Sequence, residues 1–285
     1  MTNLPTSADR SSSPPLPTYF ISHGGGPWPW IKDLMGGDWS ALEESLRSIP
    51  LDLGGPPRAL LVISGHWEAP VFTVQTSPNP PMLYDYGGFP EFTYHLQYPA
   101  PGAPDVAARV VALLAAADIP VTTDPNRGFD HGVFAPLYVS YPEADVPILQ
   151  LSLRHRYDPS EHMDAGRALA PLRREGVVII GSGFTYHNLA DFGPSAAEPS
   201  CSFESWLTDT VVNHCSTDRS ARLLEWEDAP GARMSHPAAD HLIPLMVAVG
   251  AAEGDRGSRI YYETDFMGSI TSASYRFGGA PTAMA

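Results

Sequence analysis

Basic side chains are scarce in this 285-residue chain: 17 Lys and Arg stand against 32 Asp and Glu, a formal net charge of −15. Nucleic acid and anionic membrane both need a basic surface, so the deficit argues against either as a partner. Cysteine is scarcer still. Cys201 and Cys215 form no CxxC and no disulfide framework, and they read as two reduced, buried or half-buried thiols of a cytoplasmic protein. No apolar run approaches the ~20 residues of a membrane-spanning helix. The opening MTNLPTSADRSSSPPLP lacks the apolar core of a secretory signal. A soluble, cytoplasmic protein is expected. Residues 1–17, rich in Ser and Pro, read as a flexible tail, and no linker, repeat or charge block divides 18–285.

Apolar residues make up 43% of the chain, enough for a substantial core, and they fall in short runs bounded by turn residues. Tyr19–Ser22, Ala59–Ser64, Val71–Gln75, Pro147–Leu151 and Val177–Gly181 read as buried strands, and the alternating Arg259–Phe266 as another. Helical periodicity lies between them. PDVAARVVALLAAAD puts Val106, Val110, Leu113 and Leu114 on one face, with Asp105 suited to the first turn. SEHMDAGRALAPLRREG starts on an N-cap at Ser160 and stops at Gly176. AADHLIPLMVAVGAAEG (238–254) is apolar nearly all round and reads as a central helix, kinked or begun at Pro244. Strands alternating with helices give an α/β domain, expected as three layers with a central mixed sheet flanked by helices.

Ten histidines are present, and three share a setting. His23 follows YFIS, His66 follows LLVISG and His187 follows VVIIGSGFTY, so each lies at or just past the C-terminal end of an expected core strand. Ligands of α/β sheets bind outside those ends. Neutral imidazole is the commonest protein ligand for first-row metals, although a buried histidine is also often a hydrogen-bonded structural group. The parallel settings favour a metal site. His241, one turn into the expected last helix, is a fourth candidate.

Two other chemistries fail on their motifs. SHGGGP carries no GxxxxGK[ST], and Pro27–Trp30 follow at once, so the glycines fit a tight strand exit with room for substrate or metal rather than a phosphate loop. VIIGSGF sets Ser182 between glycines, with His187 and Asp130 or Asp191 as triad partners, but lacks the first glycine of a GxSxG elbow.

The ordered stretches SHGGGP, VISGHWE, YDYGGFPEFTYHLQYPAPGAP, GFDHGVFAPL, VPILQLSL, GSGFTYHNL and HPAADHLIPLMVAVGAA extend from Thr18 to about Phe277. Together they resemble the class III extradiol ring-cleavage dioxygenases, in particular the DOPA 4,5-dioxygenase-like branch. The resemblance implies that residues 18–285 form a catalytic domain opening a catechol-type, DOPA-like ring with O2 at a non-haem metal, to a muconic semialdehyde. It implies His23, His66 and His241 as metal ligands, with His187 either a further ligand or an acid/base group. His131 of GFDHG would face the substrate, and His131 and His187 are the expected proton carriers. Other class III enzymes have a glutamate where this chain has His241. Fe(II) is the cofactor expected for turnover, and an all-histidine site also holds Zn(II). The expected partners are a small catechol and O2, and no oligomeric state is indicated. The alternatives are a zinc-dependent hydrolase on the same fold, with metal-bound water as nucleophile, and a non-catalytic metal protein.

The remaining candidates have plainer readings. His155 and His162 read as surface residues, and His214 beside Cys215 offers too few ligands for a tetrahedral site. His95 and His236 are divided between pocket lining and structural hydrogen bonding, and Trp28 and Trp30 between an aromatic wall and a loop anchor. Arg127 and Arg154 are candidates to clamp a substrate carboxylate.

Overall fold

The computed structural model describes residues 14–252 and 254–279, so the tail expected over 1–17 falls mostly outside the described residues. Its last part is docked: the Leu16 N–H donates to the Arg173 carbonyl at 3.1 Å, and Arg173 Nε donates to the Leu16 carbonyl at 2.6 Å.

Among the described residues the strands are β1 (Thr18–Ser22), β2 (Ala59–Ser64), β3 (Glu68–Ala69), β4 (Phe72–Gln75), β5 (Val121–Asp124), β6 (Ile148–Gln150), β7 (Leu153–Arg154), β8 (Val177–Gly183), β9 (Gly257–Phe266) and β10 (Ile270–Phe277). The main sheet has the order β6-β2-β8-β1-β10-β9. Its first four strands are parallel, β10 is antiparallel to β1, and β9 is antiparallel to β10. The expected mixed sheet is therefore present.

Side chains alternate across this sheet into two apolar layers. Tyr19, Ile21, Leu60, Val62, Val178 and Ile180 face one layer, and Phe20, Leu61, Ile63 and Ile179 the other. The first layer is covered by α1 (Trp28–Met35), α2 (Ser40–Asp52) and α4 (His131–Ser140). The second is covered by α3 (Pro104–Ala116), α5 (Pro159–Leu169), α6 (Ala197–Thr208), α7 (Ser216–Leu224), α8 (Ala232–Ser235) and α9 (Pro244–Ala252). Burial on both faces explains why β1, β2 and β8 read as continuous apolar runs.

Five details differ from the sequence expectation. The 71–75 run forms β4, but it pairs with β5 in a separate two-stranded sheet. β10 (ITSASYRF) is buried throughout despite its polarity, because neighbours satisfy it: Ser274 Oγ accepts the Ser22 N–H at 2.9 Å and Thr185 Oγ1 accepts the Ala273 N–H at 3.1 Å. The N-cap of α5 is Asp158, whose carboxylate accepts from the Ser160 and Glu161 N–H groups at 2.8 and 3.1 Å, and Pro159 takes the first turn. The last helix begins at Pro244, so His241 sits in the preceding turn rather than on the helix. In that turn the Ala239 carbonyl accepts both the Leu242 and Ile243 N–H groups at 2.9 Å. Both cysteines are exposed, not buried.

Candidate metal centre

Because β2, β8 and β1 are adjacent and parallel, their C-terminal ends share one edge of the sheet. His23 follows β1 directly, His66 lies just past β2, and His187 is reached by the chain leaving β8. His241 arrives from the turn before α9, and His131 is the first residue of α4. The five rings converge. His66 lies 5.0 Å from His23, 4.7 Å from His241 and 3.9 Å from His131 between ring centroids. His23 and His241 are 5.2 Å apart, and His187 stacks on His241 at 3.3 Å.

Two glycines make this convergence sterically possible. Gly24 has φ +76°, and a Cβ there would fall 2.2 Å from Trp28 Nε1. The space is filled by the Trp28 indole, which donates to the His23 carbonyl at 2.8 Å, so that part of the glycine exit admits a side chain of the protein itself. At Gly183 a Cβ would fall 2.0 Å from the His241 carbonyl oxygen. Glycine at this strand end lets the His241 turn lie against the sheet, and the Phe184 N–H donates to that carbonyl at 3.0 Å.

The ring nitrogens have distinct partners. His23 Nδ1 donates to the Gly24 carbonyl at 2.7 Å, which leaves Nε2 as a lone pair, buried and without a hydrogen-bond partner. His66 Nδ1 faces Asp85 Oδ2 at 3.2 Å, and His241 Nδ1 faces Asp240 Oδ2 at 3.0 Å. Their Nε2 atoms approach to 3.1 Å. One ligand atom each from His23, His66 and His241 lies within 4.8 Å of the others. An orphaned buried acceptor costs about 1–3 kcal/mol, and a divalent cation among the three nitrogens would remove that cost. The donor set therefore fits a metal, with a carboxylate within 3.2 Å of the far nitrogen of two of the imidazoles, although His241 Nδ1 makes no hydrogen bond to Asp240. Burial, followed by neighbouring imidazoles, pushes His23 and His66 well below the ordinary histidine value. Both are thus neutral, the ligating form, near pH 7.

Asp85 and Asp240 are site residues that the sequence reading missed. Each is a single acid in a loop, and its only signal is its place inside the motif stretches YDYGG and HPAAD. Asp85 also takes His131, whose Nδ1 lies 2.9 Å from Oδ1. Burial opposes ionisation of Asp85, but the His131 contacts outweigh it and hold the carboxyl below its usual range. His187 is more loosely held, with Nδ1 3.9 Å from Asp240. Burial and the His241 ring push His187 down to about 3. Aromatic rings border the cluster: Phe184 lies 5.2 Å from His23 and Tyr86 5.9 Å from His131.

The other candidates fall outside this arrangement. Ser182 is buried and donates to the Gly132 carbonyl, and Asp130 takes Ser64 Oγ at 2.7 Å and Arg127 at 2.6 Å, so neither belongs to a triad. Asp191 accepts from Ser195 Oγ at 2.7 Å in a surface loop. Arg127 also donates to the His66 carbonyl at 3.2 Å, and Arg154 pairs with Glu161 at 2.6 Å, so both candidate clamps hold protein partners. His155 is exposed as expected, but His162 is fully buried: Nε2 accepts the Arg154 N–H at 3.0 Å and Nδ1 donates to the Asp158 carbonyl at 2.7 Å. His236 is buried against Phe203 and Trp226, with a ring nitrogen 3.0 Å from the Thr185 carbonyl. His95 is exposed beside Glu91, and His214 pairs with Asp209 at 3.2 Å. Trp28 is a buried anchor stacked on Trp39 at 4.8 Å, whereas Trp30 packs on Tyr138 at 4.3 Å.

Residues 19–278 match the family model described as the catalytic LigB subunit of aromatic ring-opening dioxygenase. The chain is 37% identical to the dioxygenase tasH of Hapsidospora irregularis, over 93% of this chain and 86% of that protein. It is 37% identical to the 4,5-DOPA dioxygenase extradiol of Beta vulgaris, over 91% of this chain and 96% of that one. Against the protein of that description from Escherichia coli K12, the identity is 35% over 94% and 96%. The crystal structure of uncharacterized protein JW3007 from Escherichia coli K12 superposes with a TM-score of 0.74 at 30% identity, covering 92% of this chain and all (100%) of that one.

Proposed function

Because the chain belongs to the LigB family of aromatic ring-opening dioxygenases, we propose that it opens a catechol-type, DOPA-like ring to a muconic semialdehyde at a metal held by His23, His66 and His241. The chain is an extradiol dioxygenase of a metal-dependent family that acts on small aromatic molecules with O2. The observation that carries the site assignment is the buried, partnerless His23 Nε2 facing the paired Nε2 atoms of His66 and His241.

Fe(II), when bound, would supply Lewis acidity toward the catechol hydroxyls and redox access to O2. Zn(II) suits the same imidazoles but has no redox chemistry, so iron is the metal assigned to turnover. Proton handling belongs to the chain's own side chains. With its Nδ1–H directed at Asp85, His131 offers Nε2 as a base for a substrate hydroxyl. His187, half-buried and neutral, is the second proton carrier. Tyr86 and Phe184 supply apolar faces for the ring, and the near-complete burial of His23 and His241 limits water at the reacting centre. One catalytic domain over 18–285 and a cytoplasmic location complete the reading. It is supported by the 19–278 family match and by two unpaired thiols, and no described helix is long and apolar enough to cross a membrane.

The test is anaerobic reconstitution of metal-free protein with Fe(II) or Zn(II), addition of a catechol panel, then oxygen. The expected outcome is a yellow semialdehyde and O2 uptake with iron only. Zinc-supported turnover without O2 uptake would favour the hydrolase alternative instead.

A further inference from the structure

We propose that Asp85 is a positioning residue, a single carboxylate that sets the ring orientation and tautomer of both His66 and His131. The consequences for metal binding rest on the ligand roles proposed above, whereas the juxtaposition is geometric. Oδ1 lies 2.9 Å from His131 Nδ1, and Oδ2 lies 3.2 Å from His66 Nδ1. An ionised carboxylate only accepts hydrogen bonds, so His131 Nδ1, which bonds to it, carries a proton and leaves Nε2 as a lone pair; His66 Nδ1 approaches Oδ2 within ion-pair distance, and the same tautomer is assigned to it. His66 Nε2 then meets His241 Nε2 at 3.1 Å, on the side of the ring away from Asp85. The carboxylate thus stands behind the ligand nitrogen rather than in the ligand position.

A third contact fixes Asp85 itself. His131 opens α4, and its backbone N–H is one of the donors that a helix N-terminus leaves without an internal partner. Asp130 stands at the N-cap but makes no capping bond, because its carboxylate is taken by Ser64 and Arg127. Asp85 Oδ1 accepts that N–H at 2.9 Å. One side chain therefore ties the YDYGG loop to the helix end, to the acid–base candidate and to a metal-binding candidate. The corresponding carboxylate on the other side, Asp240, spans its two histidines less evenly, at 3.0 and 3.9 Å.

The experiment compares the full chain with Asp85→Asn, which keeps the size but has only one acceptor oxygen. Its amide presents hydrogens to the second ring and drives that ring to the opposite tautomer. Zn(II) affinity is measured by competition with a chromophoric chelator, and histidine tautomers by long-range 15N correlation spectra of the metal-free and Zn(II)-loaded proteins. The expected result is affinity weakened by about 10–100-fold, with the Nδ1 proton lost from His66 or His131. The proposal is overturned if the variant matches the wild type in affinity and keeps both Nδ1 protons, or if Asp85 ligates a second zinc ion. Should Asp85→Asn fail to fold, the wild-type spectra decide alone, because a missing Nδ1 proton on either ring overturns the assignment. A wild type that binds no Zn(II) but shows both Nδ1 protons would count against the metal site and uphold Asp85.

Discussion

His23 at the sheet edge, and His162 and His236 in the helical layer, are buried, and His66 beside His23 is half-buried. In all four, burial is the main cause of a depressed basicity: well below the ordinary value for His23 and His66, about 4 for His162 and about 3 for His236. Their partners differ. His162 spends both nitrogens on backbone groups, and His236 spends one on the Thr185 carbonyl. His23 spends only Nδ1, and its free Nε2 faces nitrogens of two further histidines. The His236 Nδ1 is also buried without a partner, but it belongs to no group of ligand atoms among the described residues. Low basicity therefore reports burial, whereas convergence of ligand nitrogens around a buried, partnerless one reports a site for a cation.

The strongest way to break this contrast is to remove a converging nitrogen. His23→Ala, or chelation of the wild type, should reduce turnover to background and abolish tight metal binding, as read by O2 uptake and metal analysis. Full activity in a metal-free His23→Ala protein would erase the distinction. Next in size are His131→Gln and His187→Gln. Each should lower kcat by about 10²–10⁴-fold while metal content is retained, the loss expected for an acid–base group. Loss of metal from His187→Gln would move that residue among the ligands.

His162 should behave in the opposite manner. His162→Gln should lower stability by about 2–3 kcal/mol at pH 7 through lost hydrogen bonds and packing, leaving metal content and kcat unchanged. Its ring also carries a pH signature. The folded value of about 4 lies below the unfolded value near 6.5, so the unfolded chain binds the extra proton. The stability contribution is present above pH ~6.5 and is lost as pH falls toward 4, by about 2 kcal/mol near pH 4.5. Urea titrations of wild type and variant at both pH values measure it, and equal pH slopes would refute the assignment. The smallest effect belongs to His95→Ala. This exposed ring beside Glu91 should change stability by less than about 0.5 kcal/mol and leave KM for a catechol intact. A raised KM would return His95 to the pocket wall.

Much of this fold was legible because buried parallel strands are apolar without interruption. Ala59–Ser64 was recognised at full length from its own residues, and Val177–Gly181 gave all but the last two residues of its strand. Ile270–Phe277 was not legible, since its Ser, Thr and Arg look exposed until Ser22, Thr185 and Ser200 are seen to bond with the strand. His162 was misread for a related reason. Its polar helix suggested solvent, yet Phe72 and the Arg154 backbone enclose the ring. Pro244 carried the true start of the last helix, and reading the helix through from 238 misplaced His241.

The sequence by itself determined the chemistry available: an acidic chain, apolar strand runs, histidines just beyond three of those runs, and motif stretches of one enzyme family. Local patterning carries these features because side-chain type and spacing need no partner. Only the tertiary structure decided that β2, β8 and β1 are neighbours, that His131 and His241 come to the same edge, and that Asp85 and Asp240 stand behind the rings. Such choices depend on strand pairing and on backbone approaches such as Gly183 against His241, between residues far apart along the chain. The direction of a ring nitrogen is decided by whichever acceptor the folded chain brings to its other side.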